Sequence, residues 1–309
     1  MSTQRVLASG LSWIDLLFRG RPNRIACAIV TGAGGTALVD PGPTSCLETL
    51  EASLAMHGQT LESVTHLLLT HIHLDHAGVT GVILRRHPQI QVVVHERGAR
   101  HLVDPSKLLE SATRLYGNAM DELWGEVAPV PERNLIVVRG GETVTAGGRA
   151  FAVAYTPGHA SHHVSYFDAS SGIAFVGDTG GVCVDGGYAL PPTPPPDIDV
   201  ELWEQSVGVI GAWNPSTLFL THCGPVTNVP THLQALVESL QWSAALVQES
   251  LAAPGTDDER KAGYEARLRA ELRAHMPEER AAAYESAAGF GLMWAGLARY
   301  WRKRDGLRP

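Results

Sequence analysis

The run His71-Ile72-His73-Leu74-Asp75-His76 sets three imidazoles and a carboxylate within six consecutive positions, directly after the apolar stretch 64–70. Imidazole nitrogen and carboxylate oxygen are the donors that borderline divalent ions such as zinc prefer, and an H-x-H-x-D-H spacing can divide them between two ions. Three later residues share that setting, each within a few positions of an apolar, β-like run. They are His159 in Tyr155-Thr156-Pro157-Gly158-His159, Asp178 in Phe175-Val176-Gly177-Asp178-Thr179, and His222 in Leu218-Phe219-Leu220-Thr221-His222. Loops at strand ends are where a rigid sheet fixes functional side chains. A lone histidine or aspartate after a strand is usually a cap or turn residue; the joint pattern is much harder to reach by chance.

The elements that must position these residues can be read from periodicity. Residues 25–30 and 36–39 are strands joined by the glycine-rich loop 31–35, a hairpin with no phosphate-cradle pattern. Segment 44–57 has helical spacing at Leu47, Leu50 and Leu54, with Thr44 or Ser45 available as N-cap. Strand 64–70 leads into the histidine loop and helix 77–87 follows it. Strand 90–94, helix 96–102 and a mostly helical insertion at 105–124 come next. The period then changes: 135–138, 143–145, 150–155, 164–168 and 173–176 are short β-rich runs between turns, implying a second, antiparallel sheet. The proline-rich stretch 190–196 is an extended connector. Segment 199–212 is helical, 217–220 is a strand, and the pattern from His232 onward is helical. Phe290, Met293, Trp294, Leu297, Tyr300 and Trp301 form an apolar face suited to packing on the main domain or on a partner.

A chain of 309 residues, 44% of them hydrophobic, can bury a large core. Its start lacks the basic-then-apolar pattern of a signal peptide, and no apolar run approaches the roughly 20 residues that cross a bilayer, so a cytoplasmic protein that does not enter membranes is expected. The four cysteines, Cys27, Cys46, Cys183 and Cys223, are scattered without a C-x-x-C pair, so neither a disulfide framework nor a cysteine-rich zinc finger is indicated. Net charge is −8, and there is no Lys or Arg from residue 150 to 259. A surface that tracks phosphates needs cations, so no nucleic-acid partner is expected. A polyanionic substrate would depend on metal ions or on the other half of the chain.

With these residues in place the chain resembles the metallo-β-lactamase superfamily of metal-dependent hydrolases, whose pattern is H-x-H-x-D-H, then a histidine, a bridging aspartate and a last histidine. The resemblance covers about residues 25–226, including the Leu38-Val39-Asp40-Pro41-Gly42 turn. It implies an α/β (α+β) four-layer αββα sandwich with the site at one edge of two packed sheets. The expected organisation is a catalytic domain over 1–230 and a C-terminal helical extension over 231–309, packed on that domain or forming a homodimer. By the same resemblance His71, His73 and His159 would hold one ion, Asp75, His76 and His222 a second, and Asp178 would bridge them. Two divalent ions, zinc first with iron or manganese also accepted, carry +4 against about −2 from the two carboxylates; such a centre can hold a hydroxide at neutral pH and polarise a carbonyl or phosphoryl oxygen. Asp75 is expected both as a ligand and as the proton acceptor. Asp40 and His163 are expected to support the ligands. Cys223 is expected to pack, and His66, His87, His95 and His101 to be structural or surface residues.

Departures from known patterns narrow the reaction. Glyoxalase II-like thioesterases add basic residues after the bridging aspartate, where this chain has none until Arg260. Acyl-homoserine lactonases place a tyrosine shortly after it; here the nearest phenol is Tyr188, the candidate for the substrate pocket. Two-zinc β-lactamases generally lack the bridging aspartate, and RNase Z-type nucleases need a basic surface. The expected activity is hydrolysis of a small, neutral or weakly charged ester, lactone or thioester. Alternatives are phosphotriester or phosphodiester hydrolysis, a mononuclear iron persulfide dioxygenase, a diiron nitric-oxide reductase unit, and a scaffold protein docking partners through its last helices.

Overall fold

Ile29, Leu38, Leu67 and Val92 alternate along their strands with Val30, Ala37, Leu68 and Val93, and the two sets are buried in different cores. That period-two alternation makes a sheet covered on both faces. The computed structural model describes residues 5–306; residues 1–4, part of the start read as lacking a leader, and 307–309 lie outside the described residues. The first sheet has seven strands in sequence order: β1 (Arg5–Ala8), β2 (Leu11–Asp15), β3 (Ala26–Gly32), β4 (Gly35–Val39), β5 (Val64–Leu68), β6 (Gln91–His95) and β7 (Leu135–Val138). It is antiparallel up to β4 and parallel from β4 to β7. Parallel neighbours need crossovers, supplied by α1 (Leu47–Met56), by α2 (Leu74–Ala77) with α3 (Thr80–Arg86), and by α4 (Glu96–Val103), α5 (Ser106–Tyr116) and α6 (Met120–Trp124).

The second sheet contains β8 (Thr143–Ala146), β9 (Arg149–Tyr155), β10 (Val164–Asp168), β11 (Ile173–Phe175), β12 (Thr217–Leu220) and β13 (Gly224–Val226), in the order β13-β12-β11-β10-β9-β8. Its pairs are antiparallel as expected except β11 with β12, which are parallel and joined through α7 (Val200–Ala212). Phe151, Tyr166, Phe175 and Phe219 fill the space between the sheets with Ala28, Val30, Leu68 and Val93. The outer face of the second sheet, with Leu218 and Leu220, is covered by α7 and by α8 (Val229–Ala252), α9 (Asp257–His275), α10 (Glu278–Ala288) and α11 (Phe290–Arg304). The layers are therefore helix, sheet, sheet, helix, with an added C-terminal helical segment. The expected boundary at 230 falls in the first turn of α8, and Phe290, Met293, Trp294 and Leu297 are buried within this chain.

Some local expectations change. Neither Thr44 nor Ser45 caps α1; their hydroxyls donate to the carbonyls of Glu126 and Leu123 at 2.6 Å each, tying the 105–124 insertion to the loop after β4. The hairpin β1–β2 and the three-residue β13 are strands beyond those expected from the sequence. The proline-rich connector runs extended under α11, where Gly296 permits the approach: a Cβ there would lie 2.0 Å from the Thr193 carbonyl oxygen. The Thr193 hydroxyl donates to the Met293 carbonyl at 3.1 Å.

Candidate metal centre

Five strand ends converge on one edge of the sandwich. Asp40 follows β4, residues 71–76 follow β5, His159 follows β9, Asp178 follows β11, and His222 follows β12. Hydrogen bonds between the sheets fix these ends. The buried Tyr166 hydroxyl donates to the Leu69 carbonyl at 2.7 Å, Val164 N–H to Thr70 O at 2.8 Å, and Ala26 N–H to Thr221 O at 2.8 Å. His159 sits on a turn held against α7, where Gly158 has φ +133° and a Cβ would fall 2.3 Å from the Trp203 Cα. Only glycine fits that approach.

The seven expected ligands come together. Donor atoms of His71, His73 and His159 lie within 4.8 Å of one another, as do those of Asp75, His76 and His222. Asp178 lies between the triads: Oδ2 is 3.3 Å from His159 Nε2, while Oδ1 is 3.1 Å from His76 Nε2 and 3.5 Å from His222 Nε2. His222 Nε2 is also 3.3 Å from Asp75 Oδ2. Donors around a tetrahedral ion, bound at about 2.0–2.1 Å, stand roughly 3.3 Å apart, so this spacing fits divalent ions. The buried atoms His71 Nε2, His76 Nε2 and Asp178 Oδ1 have no hydrogen-bond partner, a costly arrangement unless a cation satisfies them.

The opposite ring nitrogens are committed. His159 Nδ1–H donates to the Pro192 carbonyl at 2.8 Å and His222 Nδ1–H to the Arg24 carbonyl at 2.6 Å. A carbonyl can only accept, so in the neutral rings Nε2 carries the free lone pair. His76 Nδ1–H donates to Asp40 Oδ2 at 2.8 Å, and Asp40 also accepts from Thr70 N–H, the Thr70 hydroxyl and the Thr221 hydroxyl. Asp40 thus lies behind His76. His163 stacks behind His71 with ring centroids 5.1 Å apart, its Nδ1 against the Thr156 hydroxyl. Cys223 Sγ faces the Asn23 carbonyl at 2.9 Å, away from the ligand cluster.

The two triads differ electrostatically. Burial, then the neighbouring imidazoles, holds His71 well below the ordinary imidazole range and brings His73 to about 4. Burial also opposes charge on His76 and His222, but Asp178 and the other nearby carboxylates outweigh it and raise both. The same attraction, against burial, holds Asp75 at about 2 and Asp178 well below the carboxylate range. Without metal the first triad offers lone pairs, whereas the second retains protons that a cation would displace.

A cleft of about 690 Å³ opens over this cluster, lined by His73, Asp75, His159, Asp178 and His222. Tyr188 is not part of its lining. An isolated bridge between Val182 and Leu190 turns the loop back towards the helices, and the Tyr188 ring packs 5.5 Å from that of His275. The phenol in the cleft is instead Tyr116 on α5, T-shaped on Trp124 at 5.1 Å. Burial raises its pKa, as do Asp75 and Asp178, so the phenol stays protonated. The sequence signal for it is the stripe Leu108, Ala112, Leu115, Tyr116, at helical spacing. His101, expected to be structural or at the surface, lines the cleft, and so does His162. The arginine-free stretch 150–259 does not make a cation-free cleft, because Arg97, Arg100 and Lys107 line it from α4 and α5.

Two sheets sandwiched between helices, with a histidine and aspartate cluster at one edge, define a metal-binding αββα fold. The profile of the metallo-beta-lactamase superfamily matches residues 20–222, and the chain belongs to that superfamily, whose members are mostly metal-dependent hydrolases. It is 27% identical over 202 residues to a metallo-beta-lactamase fold-containing protein of Sulfurisphaera tokodaii, covering 64% of this chain and 72% of that one. It is 30% identical over 152 residues to the hydroxyacylglutathione hydrolase of Thermosynechococcus vestitus, covering 48% of this chain and 46% of that enzyme. The chain thus matches less than half of that enzyme's length. The crystal structure of a metallo-beta-lactamase family protein from Thermus thermophilus superposes with a TM-score of 0.73 at 21% identity, over 97% of this chain and 95% of that one. The shared fold therefore extends through the C-terminal helices. Among the described residues no helix is long and apolar enough to cross a membrane.

Proposed function

We propose that the chain is a dinuclear, zinc-dependent hydrolase of ester, thioester or lactone bonds. The observation that carries the reading is the Asp178 carboxylate, one oxygen towards each histidine triad. His71, His73 and His159 would hold one ion, Asp75, His76 and His222 the other, with Asp178 shared. The second triad favours this over a mononuclear iron centre. The hydroxyacylglutathione hydrolase relatives support an acyl, thioester-type bond.

Bound divalent ions would supply Lewis acidity and acidify a coordinated water. The remaining work belongs to the chain. Asp75, ionised at neutral pH and partly open to the cleft, is placed to accept a proton and return it to the leaving group. Tyr116, protonated and facing the same cleft, offers a hydrogen bond to the carbonyl oxygen as charge develops there. Leu108, Ala112 and Leu115 present an apolar wall that excludes water from the acyl group. A panel of lactones, thioesters, oxoesters, phosphotriesters and β-lactams tests this on the metal-reconstituted protein. Turnover of an acyl substrate that is lost in His71→Ala is expected; acyl turnover in no class, or activity unaffected by His71→Ala, contradicts it.

A further inference from the structure

The cleft carries a second chemistry, away from the metal cluster. Arg97, Arg100 and His101 stand at i, i+3 and i+4 on α4, one side of that helix, and Lys107 follows on α5; all four line the cleft. The helix approaches the metal loop closely at Gly98, where a Cβ would lie 2.9 Å from Ile72 Cγ2, between His71 and His73 in sequence. The Arg97 guanidinium lies 5.8 Å from the centroid of the Tyr155 ring, which stacks on His95 at 4.5 Å. Three carboxylates share this end and are engaged: Glu96 pairs with Arg139 at 2.6 Å, Asp197 accepts the Ser161 hydroxyl at 2.5 Å, and Asp104, close enough to Lys107 to feel its charge, accepts the Ser106 N–H at 3.1 Å. Among the described residues no carboxylate forms an ion pair with Arg97, Arg100 or Lys107. A chain with net charge −8 therefore gathers three cations that form no ion pair on one rim of its cleft.

We infer that Arg97, Arg100 and Lys107 form an anion subsite, which takes a carboxylate or phosphate on the non-reacting end of the substrate. Resting on the hydrolase reading, this makes the substrate class an acyl ester or thioester with an apolar body and an anionic tail. The apolar body fits the wall of Leu108, Ala112 and Leu115, and the guanidinium pair suits the forked geometry of carboxylate and phosphate oxygens. Cations at the rim also steer an anionic substrate to the cleft, more strongly at low ionic strength.

The test uses non-hydrolysable amide analogues with one apolar body and three tails: methyl, carboxylate and phosphate. Binding to the metal-loaded chain is measured by calorimetry at low and high salt. An anionic tail should bind about tenfold or more tighter than methyl, the advantage should shrink with salt, and the larger of the two advantages identifies the anion. Arg97→Ala with Arg100→Ala should remove the advantage and leave binding of the methyl analogue unchanged, while Arg100→Lys retains part of it. Equal affinity for all three tails, or an advantage that survives the double variant, overturns the subsite. Turnover distinguishes the two readings: the matching esters should show the tail effect in KM with kcat little changed. Hydrolysis without tail discrimination sinks the subsite alone, whereas tail-selective binding without hydrolysis sinks the hydrolase reading alone.

Discussion

Asp40 Oδ2 accepts the Nδ1–H of His76 at 2.8 Å, and the same carboxylate holds Thr70 of the loop after β5 and Thr221 of the loop after β12. One buried carboxylate thus ties together two strand ends that carry ligands of the same triad. Asp40→Asn keeps the shape but offers an amide N–H₂ to an array of donors. Metal affinity at that triad should fall about 10–100-fold, and stability by roughly 2–3 kcal/mol. Metal titration and urea denaturation measure the two losses; unchanged affinity would show that Asp40 is only a turn residue.

Much of this is legible in the sequence because ligands sit at strand ends and apolar runs mark the strands. The spacing of residues 71–76 with His159, Asp178 and His222 locates the cluster, and the Asp40 turn is visible beside it. What sequence order does not reveal is which distant segments form the cleft. The insertion at 105–124 reads only as mostly helical, and the stripe that holds Tyr116 marks an apolar face rather than a function until it folds over Asp75; Tyr188, nearer in sequence to Asp178, takes its place. Charge misleads for the same reason: the cation-poor stretch supplies one wall, and α4 with the start of α5 supplies the rim.

Tyr116→Phe retains the ring on Trp124 and removes only the hydroxyl. If the phenol stabilises developing charge, kcat should fall by about tenfold or more, with metal content and thermal melting temperature unchanged. A wild-type kcat in Tyr116→Phe would remove Tyr116 from the reaction.

The pH dependence follows from the two triads. His76 and His222 have raised folded-state values, so in the metal-free chain their stabilisation is fully present below the unfolded imidazole value of about 6.5 and is lost as pH rises through the raised values. His71 and His73 are lowered, so stability is lost as pH falls from about 6.5, His73 remaining neutral to about 4. Metal-free melting temperatures should decline on both sides, and zinc should restore stability most on the alkaline side. Calorimetry in buffers of different ionisation enthalpy should find protons released on zinc binding near pH 7 and fewer as pH rises. Release that does not depend on pH would contradict the assignment.

The proline-rich connector links α11 to the site: Thr193 donates to Met293, and the neighbouring Pro192 carbonyl receives His159 Nδ1–H. Gly296→Val would push on the Thr193 carbonyl from the far side of the connector. It should cost about 1–3 kcal/mol through overpacking and weaken metal binding at His159, although residue 296 touches no ligand. Denaturation and metal titration of this variant would expose the coupling; a destabilised chain with unchanged metal affinity would deny it.

Metal content of the purified, zinc-reconstituted chain, measured by mass spectrometry in wild type and in His222→Ala, is the most direct test of a centre built from two triads. Two ions per chain in wild type and close to one in His222→Ala are expected, with folding checked by circular dichroism. One ion or fewer in wild type, or an unchanged count in folded His222→Ala, would contradict the dinuclear assignment.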